Sequence, residues 1–130
     1  NPMIDAVEKG EREVGHQQRL WYVRLLGEEK DVWTAYWTIN QRMFRFETFV
    51  MPAPEENEQA FYEHLLMRNR ELTGMNLEIG DEHAIFLAGS LPLAAVNEAE
   101  LDRVLGSMWA YVEKVFRPAL RIGFASRFSG

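Results

Sequence analysis

Cysteine is absent from this 130-residue sequence, which excludes disulfide bonds and thiolate metal sites. There is also no run of about 20 apolar residues, so no transmembrane helix is expected. The first ten residues lack the apolar stretch of a secretory signal peptide. Because a reducing compartment suits a protein without cysteine, we expect a cytoplasmic location and no membrane partner.

An excess of basic residues is missing as well. Fourteen Lys and Arg residues stand against twenty Asp and Glu residues, which gives a formal net charge of −6. Non-specific nucleic-acid binding needs a basic footprint, and docking on an anionic membrane needs one too. The charge balance therefore argues against both partners.

Catalytic and cofactor-binding motifs are lacking. The three histidines are scattered, without zinc-ligand spacing, at His16, His64 and His83. No nucleophile elbow or glycine-rich phosphate loop occurs. The acidic pairs Glu55-Glu56 and Glu98-Glu100 lie at predicted helix starts, where capping and the helix dipole account for them. We therefore expect no catalytic site, no metal and no cofactor.

What is present is the composition of a globular protein. Hydrophobic residues make up 47% of the chain, charged residues 26% and aromatic residues 12%. This is too apolar for intrinsic disorder, and the length is that of one domain. We predict a single domain over residues 1–130, with a core or an interface rich in aromatic rings.

Hydrophobic periodicity predicts an α+β fold. Three alternating segments, residues 20–26, 32–39 and 43–51, are joined by short turns and predict an antiparallel meander. Two further strands are predicted at residues 75–79 and 84–88, joined by a hairpin turn at residues 80–83. Helices are predicted at residues 4–14, 55–72 and 97–117. The order α-β-β-β-α-β-β-α predicts a two-layer sandwich with the helices on one sheet face.

Several details of the helices follow from residue type and spacing. Asn97 is a good N-cap for the last helix, and Pro118 is expected to end it. On the middle helix, one broad apolar face is predicted to contain Phe61, Tyr62, Leu65, Leu66 and Leu72.

Five segments together carry a family resemblance. They are LWYVRL (20–25), RFETFVMPAPEEN (45–57), LLMRN (65–69), LPLAAV (91–96) and GFA (123–125). In this combination the chain resembles the YbjN family in its actinobacterial form, described as regulators of bacterial sensory transduction. The resemblance covers about residues 20–125 and is weakest at the first helix.

The resemblance implies the fold of type III secretion chaperones, which has the same element order. These fold relatives are small acidic dimers that hold segments of other proteins without ATP, and the middle helix lies at their dimer interface. No catalytic residues are attached to the family, so the resemblance implies none here. The shared motif is interpreted as structural.

One face of the predicted meander is a candidate partner surface. Tyr22, Arg24, Tyr36 and Arg45 share this face, while the opposite face carries tryptophan and phenylalanine and is expected to be the core. Tyrosine and arginine are enriched at protein interfaces. An ordinary solvated sheet face remains the alternative.

The middle helix supplies three further candidates. Asn69 lies on the apolar face and must find partners for its amide. It either ties the helix to a nearby backbone, such as a strand edge, or lines a ligand or peptide groove. Arg68 is solvated, pairs with a glutamate of its own helix or binds an anion, and Met67 falls on the polar side.

Two functions of different classes follow. The first is a non-enzymatic, chaperone-like or adaptor domain that forms a homodimer and binds a protein segment. The alternative is a small-molecule sensor domain with a pocket near Asn69. An enzyme is a third possibility, for which the sequence offers no motif.

Overall fold

The computed structural model describes residues 4–10, 18–27, 32–40 and 42–128. Its main elements, in chain order, are β1 (Ile4–Gly10), β2 (Gln18–Leu26), β3 (Val32–Asn40), β4 (Met43–Met51), α1 (Glu58–Asn69), β5 (Asn76–Ile79), β6 (Ile85–Pro92) and α2 (Glu98–Gly123). Short 3-10 turns lie at Asp81–His83, Leu93–Ala95 and Ala125–Arg127.

The strands form one six-stranded antiparallel sheet in the order β1-β2-β3-β4-β6-β5. Short connections produce the meander from β1 to β4, whereas α1 carries the chain to β5 at the far edge. The turn at residues 80–83 joins β5 to β6, as predicted. The α+β fold predicted from the sequence is therefore confirmed.

The core lies between one sheet face and the two helices. Along β4, buried residues alternate with more exposed ones, as expected for a strand with one covered face. The buried residues of the sheet and the helices form a single apolar cluster. Its largest fully buried side chains are Phe46, Phe61, Met51, Ile85, Leu87, Leu105 and Met108. The Phe44 and Phe46 side of the meander is thus the core side, as predicted.

The first element differs from the prediction, because Ile4–Gly10 is a strand and not a helix. It pairs antiparallel with β2, with a register irregularity between Ile4 and Ala6. An isolated helix of this length is marginal, and Gly10 weakens it further. Pairing with the open edge of β2 satisfies the backbone instead. Residues 11–14 of the predicted helix lie outside the described residues.

Two predicted element ends, at Pro118 and at residue 88, are also wrong. The helix α2 passes through Pro118 and ends at Gly123, because its last turns bury Ala119 and Gly123 in the core. The strand β6 continues through Gly89 to Pro92. A Cβ atom at Gly89 would lie 2.6 Å from the carbonyl oxygen of Gly74 and 2.7 Å from the ring of Phe46. Glycine at this position therefore permits Gly74 and Phe46 to approach the backbone of β6 closely.

The middle helix is shorter than predicted and buries a narrower face. Phe61 and Leu65 are buried, but Leu66 is 68% exposed. At about 100° per residue, Leu66 lies roughly 120° from the centre of the buried stripe, which explains its exposure. No helix in the described part of the chain combines the length and apolar character needed to cross a lipid bilayer.

Candidate functional site

The seven residues predicted to bind a partner fall on two separate surfaces. Tyr22, Arg24, Tyr36 and Arg45 belong to β2, β3 and β4, and the strand register places them on the sheet face away from the helices. Met67, Arg68 and Asn69 belong to the last turn of α1, on the helical layer. The structure therefore does not bring the two groups together into one site.

The sheet face is partly exposed and carries charges of both signs. Arg24 and Arg45 are exposed and Tyr36 is half-buried, while the side chain of Tyr22 lies outside the described residues. The guanidinium of Arg45 lies 3.4 Å from the carboxylate of Glu78 on β5 and 3.9 Å from that of Glu47. The Arg45–Glu78 pair crosses β6, whereas Arg45 and Glu47 both lie on β4.

An aromatic pair on the same sheet face is missed by the sequence reasoning. Phe49 on β4 and Phe86 on β6 are register partners, and their rings meet edge to face with centroids 5.9 Å apart. Phe49 is 39% exposed. The alternation of β4 placed Phe49 on this face, but the neighbouring ring became apparent only from the β4–β6 register.

Asn69 binds the backbone of the edge strand β5. Its Oδ1 accepts from the Leu77 N–H at 2.7 Å, and its Nδ2 donates to the Leu77 carbonyl oxygen at 3.3 Å. The structural interpretation of Asn69 is therefore confirmed, with the strand edge as its partner. Each end of the amide thus has one backbone partner.

Arg68 takes part in an ion-pair network between α1 and α2. Its Nη1 lies 3.1 Å from a carboxylate oxygen of Glu71, which also receives Lys114 of α2 at 3.0 Å. Hydrogen bonds from Lys114 and Arg68 hold the pKa of Glu71 below its usual range. The predicted pairing of Arg68 with a glutamate is observed, although Glu71 lies just beyond the end of α1 and not within the helix.

Met67 lies on an exposed apolar surface of α1 together with Leu66. The two side chains are 64% and 68% exposed, respectively. Glu63 and Arg70, one turn to either side, are exposed as well. These four residues are called the α1 surface below.

His64 and His83 are the histidines that the structure describes. In the described part of the chain, no group of three His, Asp or Glu residues is arranged to hold a metal ion. His83 lies exposed in the β5–β6 turn, and His16 lies outside the described residues. The Nε2 atom of His64 is buried without a hydrogen-bond partner. Burial lowers the pKa of His64, and the positive charge of Arg68 lowers it further.

Two of the segments that carry the family resemblance, residues 45–57 and 123–125, meet at the end of α2. The backbone N–H groups of Glu55 and Glu56 donate to the carbonyl oxygen of Gly123 at 2.9 and 3.1 Å. The Nδ2 of Asn57 donates to the carbonyl oxygen of Ile122 at 2.9 Å. Residues 55–57 thus satisfy carbonyl groups that the end of a helix leaves without partners.

Side chains extend this junction. The carboxylate of Glu55 forms a two-pronged ion pair with Arg127, with both distances 2.6 Å, and Glu56 accepts hydrogen bonds from the N–H and hydroxyl of Ser126. The hydrogen bonds from Arg127 lower the pKa of Glu55. The sequence reasoning attributed Glu55 and Glu56 to helix capping, because nothing in the pattern indicated contact with residues about 70 positions away.

Comparison with known proteins finds a matching family and mycobacterial relatives. Residues 7–121 match the family model YbjN, whose description is "Putative bacterial sensory transduction regulator". The chain is 36% identical over 104 residues to uncharacterized proteins of Mycobacterium tuberculosis, Mycobacterium bovis and Mycobacterium leprae. The aligned region is 80% of this chain but only 56–57% of these relatives. On the length of the family match and this identity, the chain belongs to the YbjN family.

Proposed function

We propose that this chain is a non-enzymatic, cytoplasmic protein-binding domain that pairs with a second copy of itself and holds a segment of another protein. The exposed pair Leu66 and Met67 is the observation that carries the proposal. Adjacent large apolar side chains on an otherwise polar helix face favour a contact with another protein. No cofactor is needed for such a role.

The charges of the α1 surface favour a second copy as the partner. Glu63 and Arg70 are opposite in charge and equally distant from the midpoint between Leu66 and Met67. In an antiparallel pair of α1 helices with its two-fold axis at this midpoint, Glu63 faces Arg70 of the second copy and Leu66 faces Met67. Self-complementarity of this kind is what a two-fold symmetric interface requires.

The uncovered sheet face is the proposed site for the protein segment. It presents Arg24, Arg45 and Tyr36 beside the partly exposed ring of Phe49. Arginine and aromatic side chains contribute much of the binding energy at protein interfaces. This surface lies on the opposite side of the sheet from α1, so both contacts can form at once.

Light scattering across a dilution series tests the pairing. One pair of short helices buries less than a standard interface of about 1,200–2,000 Å², so we expect a dimer that dissociates in roughly the micromolar range. Glu63→Arg or Arg70→Glu alone creates two like-charge contacts across the axis and should shift the protein to monomer. The double exchange Glu63→Arg/Arg70→Glu should restore the dimer.

Glu58→Arg is the matched control, because it makes the same charge change at an exposed position in the first turn of α1. It should leave the dimer unaffected. A protein that is monomeric at every concentration, or a dimer insensitive to both single exchanges, would refute the pairing.

The proposed contact at the sheet face is tested by measuring how a partner protein, once isolated together with this domain, binds to two variants. Binding should be lost in Tyr36→Ala and retained in Gln59→Ala, which changes an exposed residue on the helical layer. A partner that binds both variants equally well would contradict the proposed site.

A further inference from the structure

Asn57 has an unusual conformation at the start of α1. Its φ and ψ are 53° and 41°, in the left-handed region, although it occupies the N-cap position. An N-cap asparagine ordinarily has extended backbone angles, and its side-chain oxygen accepts an N–H of the first turn. Here the side chain makes no such hydrogen bond and instead donates to the carbonyl oxygen of Ile122.

The side chain of Asn57 therefore stabilises the end of α2 at the expense of the beginning of α1. The two preceding residues also stabilise the end of α2, because the N–H groups of Glu55 and Glu56 both donate to the carbonyl oxygen of Gly123. Asn97, at the start of α2, provides the contrast. Its backbone is extended, and its Oδ1 accepts from the Glu100 N–H at 2.8 Å.

The outer layer of the junction consists of exposed charged and polar groups. Arg127 pairs with Glu55, and Ser126 donates to Glu56, on the solvent side of the backbone contacts. Both side chains of the Arg127–Glu55 pair are about half exposed or more. An ion pair in this setting is weakened by salt and by protonation of the carboxylate.

We propose that residues 55–57 and 122–127 form a latch with two states, a closed state seen in this structure and an open state in which Asn57 caps α1. When the contacts of Ser126 and Arg127 are lost, Asn57 is free to adopt extended backbone angles. Its Oδ1 then accepts the N–H of Gln59 or Ala60, so the release of α2 is offset by a new cap on α1. The latch goes beyond the proposed function and does not depend on dimer formation.

Native-state hydrogen exchange, followed residue by residue by NMR, tests the closed state. The N–H groups of Glu55 and Glu56 report on closure, and the N–H of Phe46 in the sheet reports on global unfolding. Arg127→Gln should speed exchange at Glu55 and Glu56 roughly twofold to fivefold, as expected for loss of an exposed ion pair. Arg121→Gln, with the same loss of charge on α2, should have no effect, and Phe46 should be unchanged in both variants.

A measurement on the unmodified protein avoids any effect of substitution on folding. Raising NaCl from about 0.05 to about 1 M screens the ion pair and should speed exchange at the same two N–H groups. If neither Arg127→Gln nor salt changes exchange at Glu55 and Glu56, these residues do not form a latch.

Two substitutions of Asn57 test the second state. The carboxylate introduced by Asn57→Asp cannot donate to the Ile122 carbonyl but is a good N-cap acceptor, whereas the methyl group left by Asn57→Ala can do neither. Both variants should speed exchange at Glu55 and Glu56. The side chain of Asn57 does not cap Gln59 or Ala60 in the closed state, so Asn57→Ala should leave their exchange rates near those of the unmodified protein, whereas Asn57→Asp should slow them roughly fivefold. Equal exchange rates at Gln59 and Ala60 in the two variants would overturn the alternative cap.

Discussion

At the scale of single residues, Asn69 supplies hydrogen bonds that the edge position of β5 makes necessary. The strand β5 is at the edge of the sheet, and an edge strand leaves backbone groups without ladder partners. The carboxamide of Asn69 pairs with both the N–H and the carbonyl of Leu77, as a neighbouring strand would. One side chain thereby fixes the end of α1 and protects the sheet edge.

Replacement of Asn69 should therefore be costly. Asn69→Ala leaves both polar groups of Leu77 without their partner, and we expect a loss of about 1–3 kcal/mol in the free energy of unfolding, measured by urea denaturation. Asn76→Ala, at an exposed position on the same strand, should change it by less than about 0.5 kcal/mol. Equal effects of the two substitutions would show that the amide contributes little.

Two glycines of α2 should respond to alanine in opposite directions. A Cβ atom at Gly123 would lie 2.6 Å from the ring of Phe61 and 3.0 Å from Pro54, whereas at Gly106 no atom lies within 4 Å. We expect Gly123→Ala to destabilise the protein by about 1–3 kcal/mol through overpacking. Gly106→Ala should stabilise it by up to about 1 kcal/mol through helix propensity. Thermal unfolding of both variants tests whether the first substitution lowers the stability and the second raises it.

At the scale of elements, the two helices are joined at both ends of α1. The latch connects its start to the end of α2, and Glu71, just after its last residue, pairs with Lys114 of α2. Tyr111 of α2 also accepts the N–H of Thr73 through its hydroxyl at 3.1 Å. These contacts hold α1 with Phe61 and Leu65 inward and the α1 surface outward.

The Glu71 contact predicts acid sensitivity. Since the folded protein lowers the pKa of Glu71, this carboxylate contributes stability above its unfolded pKa, and the contribution is lost as the pH falls through the folded value. The urea midpoint should therefore drop below about pH 4.3, and less steeply in Glu71→Gln. Glu58→Gln, which removes an exposed carboxylate from the first turn of α1, is the control and should retain the full pH dependence. A curve for Glu71→Gln that parallels that of the control would contradict the prediction.

The first strand illustrates how tertiary pairing overrides a weak local pattern. Ile4, Val7 and Glu8 have helix-compatible spacing, but seven residues with a terminal glycine provide little helix stability. The edge of β2 supplies a full set of hydrogen-bond partners for an extended segment. The preference of residues 4–10 for a strand is therefore set by pairing with β2, which local periodicity does not reveal.

At the scale of the whole molecule, the family membership covers most of this chain, but the chain spans only slightly more than half the length of its mycobacterial relatives. The relatives therefore contain regions that this chain does not match. The pairing and the segment binding are therefore proposed for this domain alone.

The sequence by itself determined the α+β class, the meander from β2 to β4, the buried face of β4 and the Asn97 cap. Each rests on local periodicity or on side-chain chemistry within a few residues. Asn69 was similarly identified as a polar residue that needed a backbone partner, because a buried amide is costly wherever it lies.

Only the tertiary structure decided which distant groups meet. It placed Leu66 in solvent, extended α2 beyond Pro118, assigned Leu77 to Asn69 and brought residues 55–57 to the end of α2. Each outcome depends on packing between segments far apart in the chain. The burial gained by this packing outweighs local conformational preferences of about 1–3 kcal/mol, such as the cost of placing proline inside a helix. The separation of the sheet face from the α1 surface has the same origin, since the layer to which each element belongs is set by the core.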